Sequence, residues 1–137
     1  MNRKKILVVD DSLVILKTIS LKLAANGYDV TTAEDGSGAV SAVRRVKPDL
    51  ILLDLSFPLA AAPGGGVAWD GFLLMDWLRR LDEAKGIPII VITGSDPSKY
   101  KDRALAAGAA SFFHKPINND ELLTMISKTL EQTASAE

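Results

Sequence analysis

The chain has 137 residues, 47% of them hydrophobic, with 16 basic and 17 acidic side chains and a net charge of −1. That length and apolar content suit one domain with one core, and the charge balance argues against a nucleic-acid surface. No cysteine is present, which excludes disulfides and thiolate metal sites, and no stretch reads as a signal peptide or a membrane span, so a cytoplasmic protein without a membrane partner is expected.

Ile6-Leu7-Val8-Val9 reads as a buried strand that runs into acid, Asp10-Asp11. Ser12 is placed to cap a helix whose apolar positions include Leu13, Leu16, Ile19, Leu23 and Ala24, and Asn26-Gly27 ends it. Tyr28 to Thr32 is a short β-branched strand. Asp35-Gly36 reads as a turn, followed by a helix with Ala39, Val40, Val43 and Val46 on one face that stops before Pro48. Leu50-Ile51-Leu52-Leu53 is a strand apolar on both faces, and it stops on Asp54.

The stretch 56–69 is a long loop with Pro58, Pro63 and Gly64-Gly65-Gly66, in a chain whose other links are short. Such loops are usually functional or mobile. The glycine run matches no phosphate-binding fingerprint, because no Lys-Ser or Lys-Thr follows it. Asp70 is placed to cap a helix carrying Leu73, Leu74, Trp77, Leu78 and Leu81, with Gly86 near its end. Pro88 to Ile92 is a fourth strand that runs into Thr93-Gly94. Asp96-Pro97 opens a helix that runs to about Ala107 and ends on Gly108. Ser111 to Lys115 is the fifth strand, closed by Pro116, and Asn118 to Glu121 is a capping box for a helix with Leu122, Leu123, Ile126 and Leu130 inside. The tail 133–137 is small and polar and is expected to fray.

Five repeats of apolar strand then helix argue for one α/β domain over 1–137, with a parallel sheet covered on both faces. In such a sheet Asp10, Asp11, Asp54, Thr93 and Lys115 fall on one edge, where the strand ends form the ligand crevice. Crowded carboxylates call for a hard divalent cation, Mg2+ or Mn2+. Lys115 can pair with a phosphoryl oxygen or with Asp54, the Thr93 hydroxyl can donate, and Gly94 lets its backbone N–H approach closely. A carboxylate nucleophile with a metal, a lysine and a hydroxyl suits phosphoryl transfer to Asp54.

Val8-Val9-Asp10-Asp11-Ser12, Leu52-Leu53-Asp54 with Pro58, Asp70-Gly71, Ile92-Thr93-Gly94, Gly108-Ala109 and Lys115-Pro116 together resemble the receiver domain of two-component response regulators, of the single-domain chemotaxis type. The resemblance implies a flavodoxin-like (βα)5 doubly wound sheet of strand order 2-1-3-4-5. It implies that a histidine kinase or histidine phosphotransfer protein phosphorylates Asp54. Mg2+ would be bound by Asp11, Asp54 and the Ser56 carbonyl, with Asp10 acting through water. Lys115, Thr93 and the N–H groups of Ser56 and Gly94 would hold the phosphoryl oxygens, and Lys115-Pro116 would be cis. Phe112 stands where the switch aromatic is often Tyr, so it keeps the volume and lacks the hydroxyl. Phosphorylation would change the surface of the fourth helix, fifth strand and fifth helix for a downstream protein partner. The chain would be a phosphoacceptor that assists its own phosphorylation, not a free-standing enzyme.

Each of these residues also has a plainer reading. An acidic pair at a strand end is commonly a helix cap, Lys115 a surface lysine that adds little to the core, Thr93 strand filler and Phe112 simple packing. The lone His114 has no second ligand and reads as a partly buried strand residue. Two other functions compete: a metal-dependent phosphatase with Asp10 as nucleophile, and a receiver-like scaffold that is never phosphorylated. The first leaves Asp54 without a role and lacks the Asp-x-Asp pattern, since Ser12 stands at its second acid position. The second does not explain a complete set of site residues.

Overall fold

A computed structural model describes residues 3–10, 12–54, 71–84, 86–93, 97–115 and 118–135, with backbone alone at 71–73, 83, 93, 97–100 and 132–135. Strands β1 (Lys5–Val9), β2 (Asp29–Ala33), β3 (Leu50–Asp54), β4 (Ile89–Thr93) and β5 (Ser111–His114) alternate with helices α1 (Leu13–Ala25), α2 (Gly36–Val46), α3 (Gly71–Arg80), α4 (Pro97–Ala106) and α5 (Asn119–Ser135). A short 3-10 turn, Asp82–Ala84, follows α3. The sheet order is β2-β1-β3-β4-β5 and every pairing is parallel. This is the doubly wound, flavodoxin-like order that the sequence resemblance implies.

The central strands are apolar at nearly every position because helices cover both faces of the sheet. Side chains alternate between two cores. Leu7, Val9, Ile51, Leu53 and Val91 meet Ala39, Val43, Leu74, Leu78 and Ala104, which come from α2, α3 and α4. Ile6, Val8, Leu50, Leu52, Ile90 and Ile92 meet Leu16, Ile19, Leu23, Leu122 and Ile126, from α1 and α5. Fully burying one such side chain contributes about 1.5–3 kcal/mol, so the sheet is a rigid platform for whatever stands at its ends.

Local chemistry sets the element ends. The Ser12 Oγ accepts from the N–H of Ile15, and the Asn118 Oδ1 accepts from the N–H groups of Asp120 and Glu121. Gly27, at φ 91°, and Gly108, at φ 110°, follow α1 and α4 in the left-handed region. Lys47 ends α2 at φ 53° without being glycine, directly before Pro48.

Several details differ from the sequence expectation. Asp35 and Gly36 are not a free turn: Asp35 is the N-cap of α2 and its Oδ1 accepts from the N–H of Gly38 at 2.7 Å. Leu13 and Ala24 face solvent, because Leu16, Ile19 and Leu23 already fill the inner stripe of α1. On α3 that stripe is Leu74, Met75 and Leu78, which leaves Trp77 44% exposed. His114 is exposed, since β5 is an edge strand and the residue lies at its end. Helix α5 runs to Ser135, and 136–137 lie outside the described residues. The loop 56–69, the Asp70 cap and Asp96 lie outside the described residues.

Asp35→Ala should lower the unfolding free energy by about 1 kcal/mol, the usual cost of losing a helix N-cap. Urea unfolding checks this, and an unchanged midpoint would mean that Asp35 does not cap α2 in solution.

Candidate functional site

Parallel pairing places the two central carboxylates. Strands β1 and β3 are in register with Val9 opposite Leu53, so the next residues, Asp10 and Asp54, stand side by side at the carboxyl edge. Both follow the same side of the pleat as Val8 and Leu52. Both are buried there, Asp10 at 0% and Asp54 at 1% exposure. Isolated buried carboxylates are costly and need partners.

Lys115 supplies that partner. It lies one residue beyond β5, and its long side chain carries the charge past β4 to the middle of the sheet edge. Its Nζ donates to Asp10 Oδ2 at 2.9 Å and to Asp54 Oδ2 at 3.1 Å. Burial alone would pull the Lys115 pKa down. The hydrogen bond to Asp10, the charges of Asp54 and Asp10, and the hydrogen bond to Asp54 outweigh it and hold the ammonium above the ordinary value of 10.5. Since the folded value is the raised one, the stabilisation is complete below the ordinary value. It fades only as pH rises through the elevated value, so it is intact across the neutral range.

Asp10 has a second task. Its Oδ1 accepts from the N–H of Ser12 at 2.9 Å, while its own N–H continues the β1–β2 ladder to the Ala33 carbonyl at 3.1 Å. Asp10 thus does what the plain reading of an acid at a helix start expects, and it makes the contact with Lys115 as well. One oxygen shapes the turn into α1 and the other faces Lys115.

Of the remaining candidates, Thr93 closes β4 in register with His114, which puts its backbone on the same edge as Asp54. Phe112 is partly buried against the core under α2, α3 and α4, and Phe113 against the core under α1 and α5. Asp11, Ser56, Gly94 and the Lys115-Pro116 bond, through Pro116, lie outside the described residues, as does the Thr93 side chain. Among the described residues no group of three His, Cys, Asp or Glu gathers. Sequence reasoning missed the hydrogen bond from Ser12 to Asp10. The signal was there in the short polar step Asp10-Asp11-Ser12 between an apolar strand and a helix.

The donor set fits a hard cation. Asp10 and Asp54 offer only oxygens, and with Lys115 the described groups sum to a charge of −1, to which Asp11 adds another acid in sequence. A phosphoryl group on either aspartate would deepen the negative charge, and one lysine cannot balance it.

Residues 6–127 match the family profile described as the response regulator receiver domain. The chain is 31% identical over 129 residues to the probable transcriptional regulatory protein TcrX of Mycobacterium tuberculosis, covering 93% of this chain and 50% of that protein. It thus spans about half the length of the curated relatives it matches. It is similar in structure to a CheY-like response regulator receiver domain protein of Methanospirillum hungatei, at TM-score 0.86 and 26% identity over 99% of this chain and 100% of that one. It is also similar to the chemotaxis response regulator CheY4 of Vibrio cholerae, at TM-score 0.78 and 30% identity over 93% and 98% of the two chains.

Lys115 contributes more than the sequence suggests, because two buried carboxylates depend on it. Lys115→Ala should cost about 3 kcal/mol in metal-free buffer, the scale of breaking a buried ion pair, with part of the loss restored by Mg2+. Urea unfolding with and without the ion checks this. A cost below about 0.5 kcal/mol, the scale of a surface pair, would return Lys115 to the role of a surface lysine.

Proposed function

Because the chain belongs to the response regulator receiver domain family, we propose that Asp54 is its phosphoacceptor. The observation that carries this reading is the pairing of one lysine with two buried carboxylates at the carboxyl edge of a parallel sheet, with Asp54 on the central strand. The chain is a receiver domain of two-component signalling, and the geometry of Asp10, Asp54 and Lys115 supports the residue roles that this family membership implies.

In the transfer, a carboxylate oxygen of Asp54 attacks the phosphorus of a phosphohistidine. The new O–P bond forms as the P–N bond breaks, and the imidazole nitrogen leaves with the electron pair and takes up a proton. Lys115 holds the Asp10 and Asp54 carboxyl groups in place beforehand. Afterwards the same ammonium is positioned to hold a phosphoryl oxygen, and by the family resemblance Thr93 and the backbone N–H groups of Ser56 and Gly94 would be further donors. Mg2+ or Mn2+ would be held by Asp11, Asp54 and the Ser56 carbonyl, with Asp10 acting through water. When bound, the ion would neutralise charge on the phosphoryl oxygens.

The phosphodonor in this reading is a histidine kinase or histidine phosphotransfer protein. Leu13 and Val14 support a protein donor: they open α1 directly after the Asp10 turn and are 64% and 75% exposed, an apolar step beside the acceptor. Phe112 reports the state of the site. It lies three residues before Lys115 and packs against the core beneath α4, so its displacement would change the α4-β5-α5 surface offered to a downstream protein. The balanced net charge favours a protein over nucleic acid as the partner of this segment. No helix among the described residues is long and apolar enough to cross a membrane. The chain turns over no substrate of its own beyond its own phosphorylation and dephosphorylation.

Incubation with a small phosphodonor such as acetyl phosphate should phosphorylate the protein only with Mg2+ or Mn2+ present, and Asp54→Asn should incorporate none. Full incorporation into Asp54→Asn would refute the assignment.

A further inference from the structure

A groove on the opposite side of the molecule from α1 has no part in this chemistry. Helix α2 presents Ser37, Val40, Ser41, Arg44 and Arg45 along one flank, and α3 places Trp77 across from them. The α2 residues recur at helical spacing, so they form one stripe beside the inward-facing Ala39, Ala42 and Val43. The space between the helices is about 570 Å3 and opens broadly to solvent. An open trough of that form suits a protein segment better than an enclosed small molecule.

Its chemistry is specific. Val40 and the half-exposed Trp77 make an apolar floor. Arg44 and Arg45 put two guanidinium groups at one end, and among the described lining residues none is acidic. Arginine matches carboxylates with paired hydrogen bonds, and Trp and Arg are the residue types that most often dominate interface energy. Ser37 and Ser41 add hydroxyls that can bond a backbone. From Ser37 to Arg44 the helix advances roughly 10 Å, the span of about three extended residues.

We propose that the α2–α3 groove docks an extended acidic segment of a partner protein. One apolar side chain rests on Trp77 and Val40, and neighbouring carboxylates meet Arg44 and Arg45. Two cations beside one aromatic ring are too few to track a nucleic-acid backbone, and the chain carries no excess of positive charge. The small apolar area makes this a weak, reversible contact, with Kd on the order of 100 µM. It would leave α1 and the α4-β5-α5 surface open, so the same molecule could be held here while its acceptor site reacts.

The test uses isotope-labelled full-length protein and an acetylated pentapeptide with a central leucine flanked by glutamates. Saturable shifts are expected at the Trp77 indole N–H and at the amides of Ser37 and Ser41. Affinity should fall about tenfold in Arg45→Glu and in Trp77→Ala, and nearly vanish in about 1 M salt, where the screening length is about 3 Å. The same peptide with lysines for glutamates should not bind. The rest of the Arg45→Glu spectrum shows whether that variant stays folded. The proposal is overturned if the lysine peptide binds equally, if Arg45→Glu binds the acidic peptide unchanged, if the shifts fall on α1 or α5 instead, or if single-stranded oligothymidine displaces the peptide.

Discussion

The ammonium of Lys115 sits 2.9 Å from Asp10 and 3.1 Å from Asp54, and the functional edge of the sheet depends on that shared contact. In-register parallel strands force the two carboxylates together, and both are buried away from water. Without a counter-charge they would repel in a poorly screening environment. One lysine makes the arrangement tolerable but leaves it net negative. That residual charge is why a hard cation suits the site. An aspartate fixed beside a lysine and a second carboxylate is also placed for electrophilic phosphorus. Packed apolar residues in these places would give a more stable protein without the chemistry.

The rest of the fold converts this local arrangement into something a partner can read. The sheet carries apolar side chains on both faces, so the strand ends are fixed by two independent cores. Strand β5 joins them, with Phe112 in one core and Phe113 in the other, and Lys115 follows immediately. A displacement of Lys115 along β5 would therefore bear on both helical layers. Densely packed interiors tend to resolve such strain into discrete alternatives, the behaviour a two-state signalling switch requires.

The sheet was legible in the sequence because burial on both faces leaves unbroken apolar runs, and because each run ends on a residue type that does not belong in a core. Asp10, Asp54 and Lys115 stood out for that reason, and the structure brings all three within hydrogen-bonding distance. Finer features were not legible. Asp35-Gly36 has the composition of a turn, and only the bond to the Gly38 N–H shows it to be a cap. Trp77 has the hydrophobicity of a core residue, but helical phase gives the inner stripe to Leu74, Met75 and Leu78. His114 looked half buried because strand position in the sheet, centre or edge, is set by topology. The weight of Lys115 in stability was hidden for the same reason, since its partners are far away in sequence.

The central claim is that Asp54, not its neighbour Asp10, takes the phosphoryl group. The most direct measurement is to phosphorylate the protein, reduce the acyl phosphate with borohydride and map the resulting homoserine by mass spectrometry of tryptic peptides. The sequence places Asp10 and Asp11 in the peptide Ile6–Lys17 and Asp54 in Val46–Arg79, so the two outcomes are distinct. The account predicts homoserine at position 54 alone. Homoserine at position 10 would contradict it and favour a phosphatase-like nucleophile, and none at either position would favour a scaffold that is never phosphorylated.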